Sequence, residues 1–223
     1  MRKPVRASIL LAALIPLLFV APGQSMAAGP SETTASPVVA SAEPAKPTRE
    51  EAIAKERDGR AEVTLPSRTV RHADGSVETI ADPAAVRALS STLAVGDACG
   101  SACDGKDPAS FLAPMPGGPS NYAYCSTDAV TIYSKYNGYN SRVELRYSPT
   151  CRTAWSRGCC YTSIAGFGYY ANGNLRLSVY NHDGRFNGTN VWTAMLDDAG
   201  YTYKACYDTQ IGGPSIWSCT SRY

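Results

Sequence analysis

The chain has no HExxH zinc motif, no GxSxG nucleophile elbow, no SxxK, no phosphate-cradling P-loop and no GxGxxG fingerprint. Several hydrolase classes and the nucleotide-cofactor folds are removed with them, and no cofactor is expected. Histidine is nearly as scarce. After residue 95 the one histidine is His182, in the turn-forming run "YNHDGRFNG", so any Ser-His-Asp or Cys-His system would have to be built on it. An excess of charge is also missing: residues 96–223 carry ten Lys/Arg against nine Asp/Glu. That balance offers no basic face for nucleic acid and no strong attraction to an acidic membrane. From Ala28 to Val95 there is no Cys, Phe, Tyr or Trp, which leaves that segment little apolar area from which to build a core.

At the amino end the pattern is that of a secretory signal peptide. Arg2, Lys3 and Arg6 precede an apolar run from Ile9 to Val20, and Ser25-Met26-Ala27 supplies small residues at the cleavage positions, so cleavage is expected after Ala27. An uncleaved anchor is the alternative, but the run is short and broken by Pro16, whereas a bilayer takes about 20 residues to cross. No later stretch has spanning length, and the mature chain is expected to be secreted or attached to the cell surface.

Eight cysteines, Cys99, Cys103, Cys125, Cys151, Cys159, Cys160, Cys206 and Cys219, all follow residue 95. In an exported chain an even number confined to one segment reads as a disulfide framework. A zinc site would want paired cysteines with a second pair or histidines at matching spacing, so no metal is expected. Eight cysteines allow 105 connectivities. The reading taken joins the first four among themselves and the last four among themselves, with Cys159 and Cys160 bonded to Cys206 and Cys219.

Residues 28–47 are a Pro/Ala/Ser/Thr linker expected to be disordered. The rest of the segment to 95 carries local signals only. Thr48 stands three residues before Glu51, a capping-box spacing; Asp74-Gly75 suits a hairpin turn; Asp82-Pro83 suits a helix start. A flexible stalk or pro-region is preferred here over a packed subdomain. From residue 96 the pattern changes to short alternating runs, "AVTIYSKY", "RVELRY", "NLRLSVY" and "YTYKACY", separated by Asn/Asp/Gly clusters. These predict an all-β domain over 96–223, a small disulfide-stapled antiparallel sandwich or irregular barrel. In the first run Val130, Ile132 and Ser134 are placed on one side. In the second, Val143, Leu145 and Tyr147 face one way, while Glu144 and Arg146 face solvent.

Two chemistries remain open. Paired loop carboxylates, drawn from the nine acids after residue 95, would serve a cell-wall glycan hydrolase. Tyrosines in the loops "YSKYNGYNS" and "GFGYYANGN" offer flat faces with polar tips, which stack on sugars or make protein-binding surfaces. Tyr136, Tyr139, Tyr169 and Tyr170 are the candidate contacts, with Arg146 beside them. Cys151, in "VELRYSPTCRTAWSR", leaves a turn set by Pro149 and is read as a bridge anchor beside Trp155 rather than a reactive thiol.

The runs "CGSACDGKDP", "YCSTDAVTI" and "VELRYSPTCRTAWSR" resemble the secreted bacterial family of domains of unknown function numbered 2690. The motif residues fall on Cys99, Cys103, Gly105, Lys106, Asp107, Pro108, Cys125, Glu144, Leu145, Arg146, Tyr147, Ser148, Cys151, Trp155 and Arg157. The interval between Pro108 and Cys125 looks enlarged, and Cys159-Cys160 is an addition. The resemblance carries no catalytic residues. It implies an extracellular sensing or binding module. The leading reading is a non-catalytic cell-envelope or ligand-binding module taking a cell-wall glycan or another extracellular protein, with the glycan hydrolase or an extracellular protease inhibitor as alternatives.

Overall fold

The computed structural model describes residues 46–59, 62–93, 99–115, 121–138, 141–161, 163–183, 188–210 and 213–223. The signal-peptide and linker expectations, and Tyr139, lie outside those residues. In chain order the elements are helix α1 (Arg49–Asp58), strands β1 (Ser67–Arg71) and β2 (Val77–Ala81), helix α2 (Pro83–Leu93), then β3 (Leu112–Pro114), β4 (Tyr122–Tyr124), β5 (Val130–Tyr136), β6 (Arg142–Ser148), β7 (Thr153–Cys159), β8 (Ile164–Tyr169), β9 (Leu175–Asn181), β10 (Val191–Trp192), β11 (Leu196–Asp197), β12 (Thr202–Asp208) and β13 (Trp217–Cys219).

The local start signals act as expected. Thr48 caps α1 with a complete capping box, its hydroxyl accepting from the Glu51 amide and the Glu51 carboxylate accepting from the Thr48 amide. Gly75, at φ 81°, turns the β1–β2 hairpin, and Asp82 accepts the Ala84 amide at the start of α2.

Two antiparallel sheets share one core. The larger runs β1-β2-β5-β6-β7-β10, with β11 also on β7; the smaller runs β13-β12-β8-β9, and β3-β4 form a separate pair. Val130, Val143, Leu145, Tyr147 and Ala154 from the first sheet meet Ile164, Tyr203, Ala205 and Tyr207 from the second. This is the all-β sandwich that the alternation predicts. Tyr203 reaches across it because Gly166 has no side chain: a Cβ there would stand 1.5 Å from the Tyr203 hydroxyl.

Three expectations are corrected. Residues 46–93 are not a stalk, since β2 pairs with β5 inside the larger sheet and α1 packs on the β domain. The change in composition near residue 95 is therefore not a structural boundary. This segment attaches through backbone pairing and buried carboxylates instead of aromatic area: Glu78, 1% exposed, accepts from the Ser221 amide and hydroxyl at the carboxyl end of the chain. Second, the β5–β6 register slips at Ile132, so Ser134 falls opposite Glu144 and not beside Ile132; one bulged residue inverts the alternation beyond it. Third, Cys206 and Cys219 bond to each other. They are direct partners in the β12–β13 register with Cα atoms 4.0 Å apart, which leaves Cys159 and Cys160 unbridged. The other bridges, Cys99–Cys103 and Cys125–Cys151, join members of the first four. The sulfurs of Cys99, Cys103 and Cys125 lie within 4.8 Å of one another, but each belongs to a disulfide and none is a free thiolate ligand.

Asp198, after β11, has a buried Oδ1 with no hydrogen-bond partner. Burial pushes its carboxyl up to about 7, against the opposing pull of Arg152. A carboxyl whose folded pKa exceeds its unfolded value of 3.8 holds its extra proton in the folded state, so stability falls as pH rises from about 4 through 7. The full penalty approaches roughly 4 kcal/mol at about 1.4 kcal/mol per pH unit. Asp198→Asn is expected to stabilise the fold progressively over that window. Thermal melts of variant and wild type from pH 4 to 8 check this, and a constant difference in Tm would refute it.

Candidate binding groove

The strand "RVELRYS" is followed after a tight turn by "TAWSRGC", and their register sets Glu144 opposite Arg157 and Arg146 opposite Trp155. Opposed residues of an antiparallel pair share a face, so all four project from the side of the sheet away from the shared core. This face is not solvated, contrary to the expectation for Glu144 and Arg146: Arg146 and Trp155 are 0% exposed and Arg157 1%. Helix α1 covers them. Its Glu56 places Oε1 3.2 Å from Arg146 Nη2 and accepts Trp155 Nε1–H on Oε2 at 3.1 Å. Glu62, just beyond the helix, spans both guanidiniums, 3.0 Å from Arg146 Nη1 and 2.5 Å from Arg157 Nη1. Glu144 takes the Nε–H of Arg157 at 2.6 Å.

Burial alone would make the Arg157 guanidinium easier to deprotonate, but Glu144, Glu56 and Glu62 outweigh it and its pKa lies above the ordinary arginine value. Burial likewise opposes ionisation of Glu62, and Arg146 and Arg157 overcome it, holding that carboxyl below its usual value. These are paired buried charges whose desolvation is offset only while every partner is present. Arg146 is therefore an internal anchor for α1 and not a ligand contact.

The same anchoring builds a groove at the sheet edge. Trp192 on β10 is the cross-strand partner of Arg157 and shares its face. Its indole Nε1–H points to Asp107 Oδ2 at 3.4 Å, and its carbonyl accepts Asn181 Nδ2–H at 2.7 Å. Asn190 Nδ2–H reaches the Arg57 carbonyl at 3.2 Å. Arg57, Asp107, Asn181, Asp183, Thr189, Asn190, Val191 and Trp192 enclose about 280 Å³. Asp107 is committed to the framework, since its Oδ1 accepts the amides of both Ala109 and Ser110. The groove thus presents one half-buried indole, amide groups able to donate and accept, two carboxylates and one guanidinium.

The tyrosines named from sequence do not line it. Tyr136 sits at the end of β5 in the larger sheet, whereas Tyr169 and Tyr170 flank the β8–β9 turn in the smaller one. Tyr169 lies under the Arg222 guanidinium, 4.1 Å from ring centre to Cζ, and Tyr170 meets Tyr201 edge-on. Among the motif residues, Lys106 pairs by backbone with Met195, Pro108 is buried with its carbonyl accepting the Ser126 amide, and Tyr147 lies in the core with its hydroxyl 3.0 Å from Ser90. His182, though next to groove residues in sequence, places Nδ1 2.9 Å from the Ser163 hydroxyl and stacks on Tyr180.

Sequence reasoning missed Trp192, Asn181, Asn190, Arg57 and Glu56, and held Asp183 only as one of nine acids without a place. A tryptophan two residues after the Asn/Asp-rich run "NHDGRFNGTN" is the signal that could have found the groove. Residues 101–206 match the model of a family described as "Protein of unknown function (DUF2690)". That span includes Asp107, Arg146, Trp155, Arg157 and Trp192, while α1 with Glu56 and Arg57 precedes it. No curated protein and no solved structure matches the chain.

Proposed function

Because the β domain of this chain belongs, through residues 101–206, to the DUF2690 family, whose description assigns no activity, we propose a function from the groove itself: a secreted, non-catalytic module that binds a neutral glycan of the cell envelope. The observation that carries this reading is the indole of Trp192 set among Asp107, Asn181, Asp183 and Asn190 in a concave site. A sugar ring offers an apolar C–H face and a rim of hydroxyls. An aromatic face takes the first, and fixed amides and carboxylates take the second. Two carboxylates against one guanidinium disfavour an anionic sugar.

Binding is favoured over hydrolysis by the state of the acids. A glycosidase needs one carboxyl kept protonated beside the scissile oxygen, whereas both oxygens of Asp107 already accept hydrogen bonds from the framework and Asp183 is exposed. Three disulfides are consistent with an extracellular protein. Export itself is tested by amino-terminal sequencing of the mature chain, which should begin at Ala28.

Trp192→Ala is expected to weaken binding to purified peptidoglycan or a glycan array by about tenfold or more, the loss of one stacked aromatic contact. The ring is partly buried and packs against the cluster of Cys103, Trp155 and Met195, so the variant should also melt at a lower temperature, and binding is compared where both chains are folded. Absence of glycan binding by the wild-type chain, or a variant that binds equally well, would refute the reading.

A further inference from the structure

Six of the eight cysteines are bridged, and the two left over are neighbours in the chain. Adjacent residues of an extended strand send their side chains to opposite faces, which would hold two such sulfurs apart. Cys159 is the last residue of β7, and Cys160 follows at φ 71°, in the left-handed region that residues other than glycine seldom enter. This reversal brings the Cys160 side chain back onto its neighbour, and the two Sγ atoms lie 2.7 Å apart, closer than non-bonded sulfurs rest.

The chain is pinned on both sides of the pair. Cys159 stands opposite Arg142 in the β6–β7 register, the Cys160 carbonyl accepts the Ser141 hydroxyl at 3.1 Å, and Tyr161 is buried and stacked on Tyr207 at 4.1 Å. Neither sulfur has another unbridged cysteine to meet. We propose that Cys159 and Cys160 close a vicinal disulfide, a ring shut through the single peptide bond that joins them.

The alternative use of a paired thiol, as a nucleophile or thiolate ligand, is disfavoured. Burial, reinforced by Cys160, pushes the Cys159 thiol up to about 12, the reverse of the shift found at reactive cysteines. The oxidant is an external disulfide, as carried by the thiol–disulfide exchange partners of exported proteins. The thiolate of one cysteine attacks it to form a mixed disulfide, and the thiolate of the neighbour displaces the external sulfur. Two electrons pass from the cysteine pair to the external disulfide, and the two protons they give up end on the two external thiols. The closed ring would stiffen the end of β7 where Gly158 pairs with Val191, a wall residue of the groove.

Trypsin cleavage after Arg157 and Arg176 isolates a peptide that contains these two cysteines and no other. The full chain should be denatured in excess alkylating agent without reductant, digested, and analysed by mass. The proposal expects this peptide to be unalkylated, to weigh two hydrogen atoms less than the dithiol form, and to take up two alkyl groups only after reduction. Alkylation at either position without reduction, or a covalent link to any other cysteine peptide, overturns it.

Discussion

Glu56→Ala is expected to lower the unfolding free energy by about 3 kcal/mol, the low end of the range found when a buried ion pair is broken, because Glu62 remains 3.0 Å from Arg146. While Glu62 stays on both guanidiniums and Glu144 on Arg157, the indole N–H of Trp155 loses its acceptor and Arg146 loses one of its two carboxylates, with Arg157 affected at longer range. No water-facing route relieves them, because both Arg146 and Trp155 are fully enclosed. Glu56→Gln keeps an acceptor for the indole but removes the charge, so it should fall between the wild type and the alanine variant. Arg57→Ala, one residue on and exposed, should shift stability by less than about 0.5 kcal/mol. Denaturant midpoints followed by tryptophan fluorescence give the order. Combining Glu56→Ala with Arg146→Met should cost less than the two single changes added together, because each single change already removes the contact between the two side chains. A Glu56→Ala midpoint equal to that of wild type would mean α1 is not held by this network.

The reach of that network explains what could and could not be seen in the sequence. Alternation in "VELRYS" identifies the strand and correctly sends Val143, Leu145 and Tyr147 to the core. The same alternation leaves Glu144 and Arg146 looking solvated, because their cover is a helix ninety residues upstream, and strand periodicity carries no information about a distant partner. The capping box at Thr48, the turn at Asp74-Gly75 and the helix start at Asp82 were legible because each is a contact within a few residues. Their placement on the domain was not. A segment without aromatics reads as unable to fold, yet this one folds by lending β2 to a sheet and Glu56, Glu62 and Glu78 to buried cations and amides. Cysteine pairing depended on strand register in the same way, since Cys206 and Cys219 are neighbours only once β12 and β13 are aligned. The groove was the least legible part: Arg57, Asp107, Asn181 and Trp192 come from four separate pieces of chain, and no spacing between them is diagnostic.

Replacing both Cys125 and Cys151 by alanine should cost about 3–4 kcal/mol, more than loss of either other bridge. Chain entropy sets the order: the bridged residues are 26 apart, against 13 for Cys206–Cys219 and 4 for Cys99–Cys103, and the larger loop constrains the unfolded chain most, giving roughly 3.5, 3 and 2 kcal/mol in turn. The native surroundings point the same way. Cys125 opens a short 3-10 turn, and Cys151 sits in the β6–β7 turn whose Ser148 hydroxyl and Thr150 amide are both held by Asp128. The bridge ties those two turns together beneath Trp155, in the same buried cluster. Cutting it frees the turn that fixes the register between β6 and β7, and with it the facing of Arg146 and Arg157 toward α1. The double variant should therefore also weaken glycan binding, because Arg57 reaches the groove only while α1 is anchored. Midpoints measured on the three double-alanine variants, each with its other bridges intact, test the ranking. A Cys99–Cys103 variant that lost the most stability would show that packing around the bridges, and not loop closure, governs their contribution.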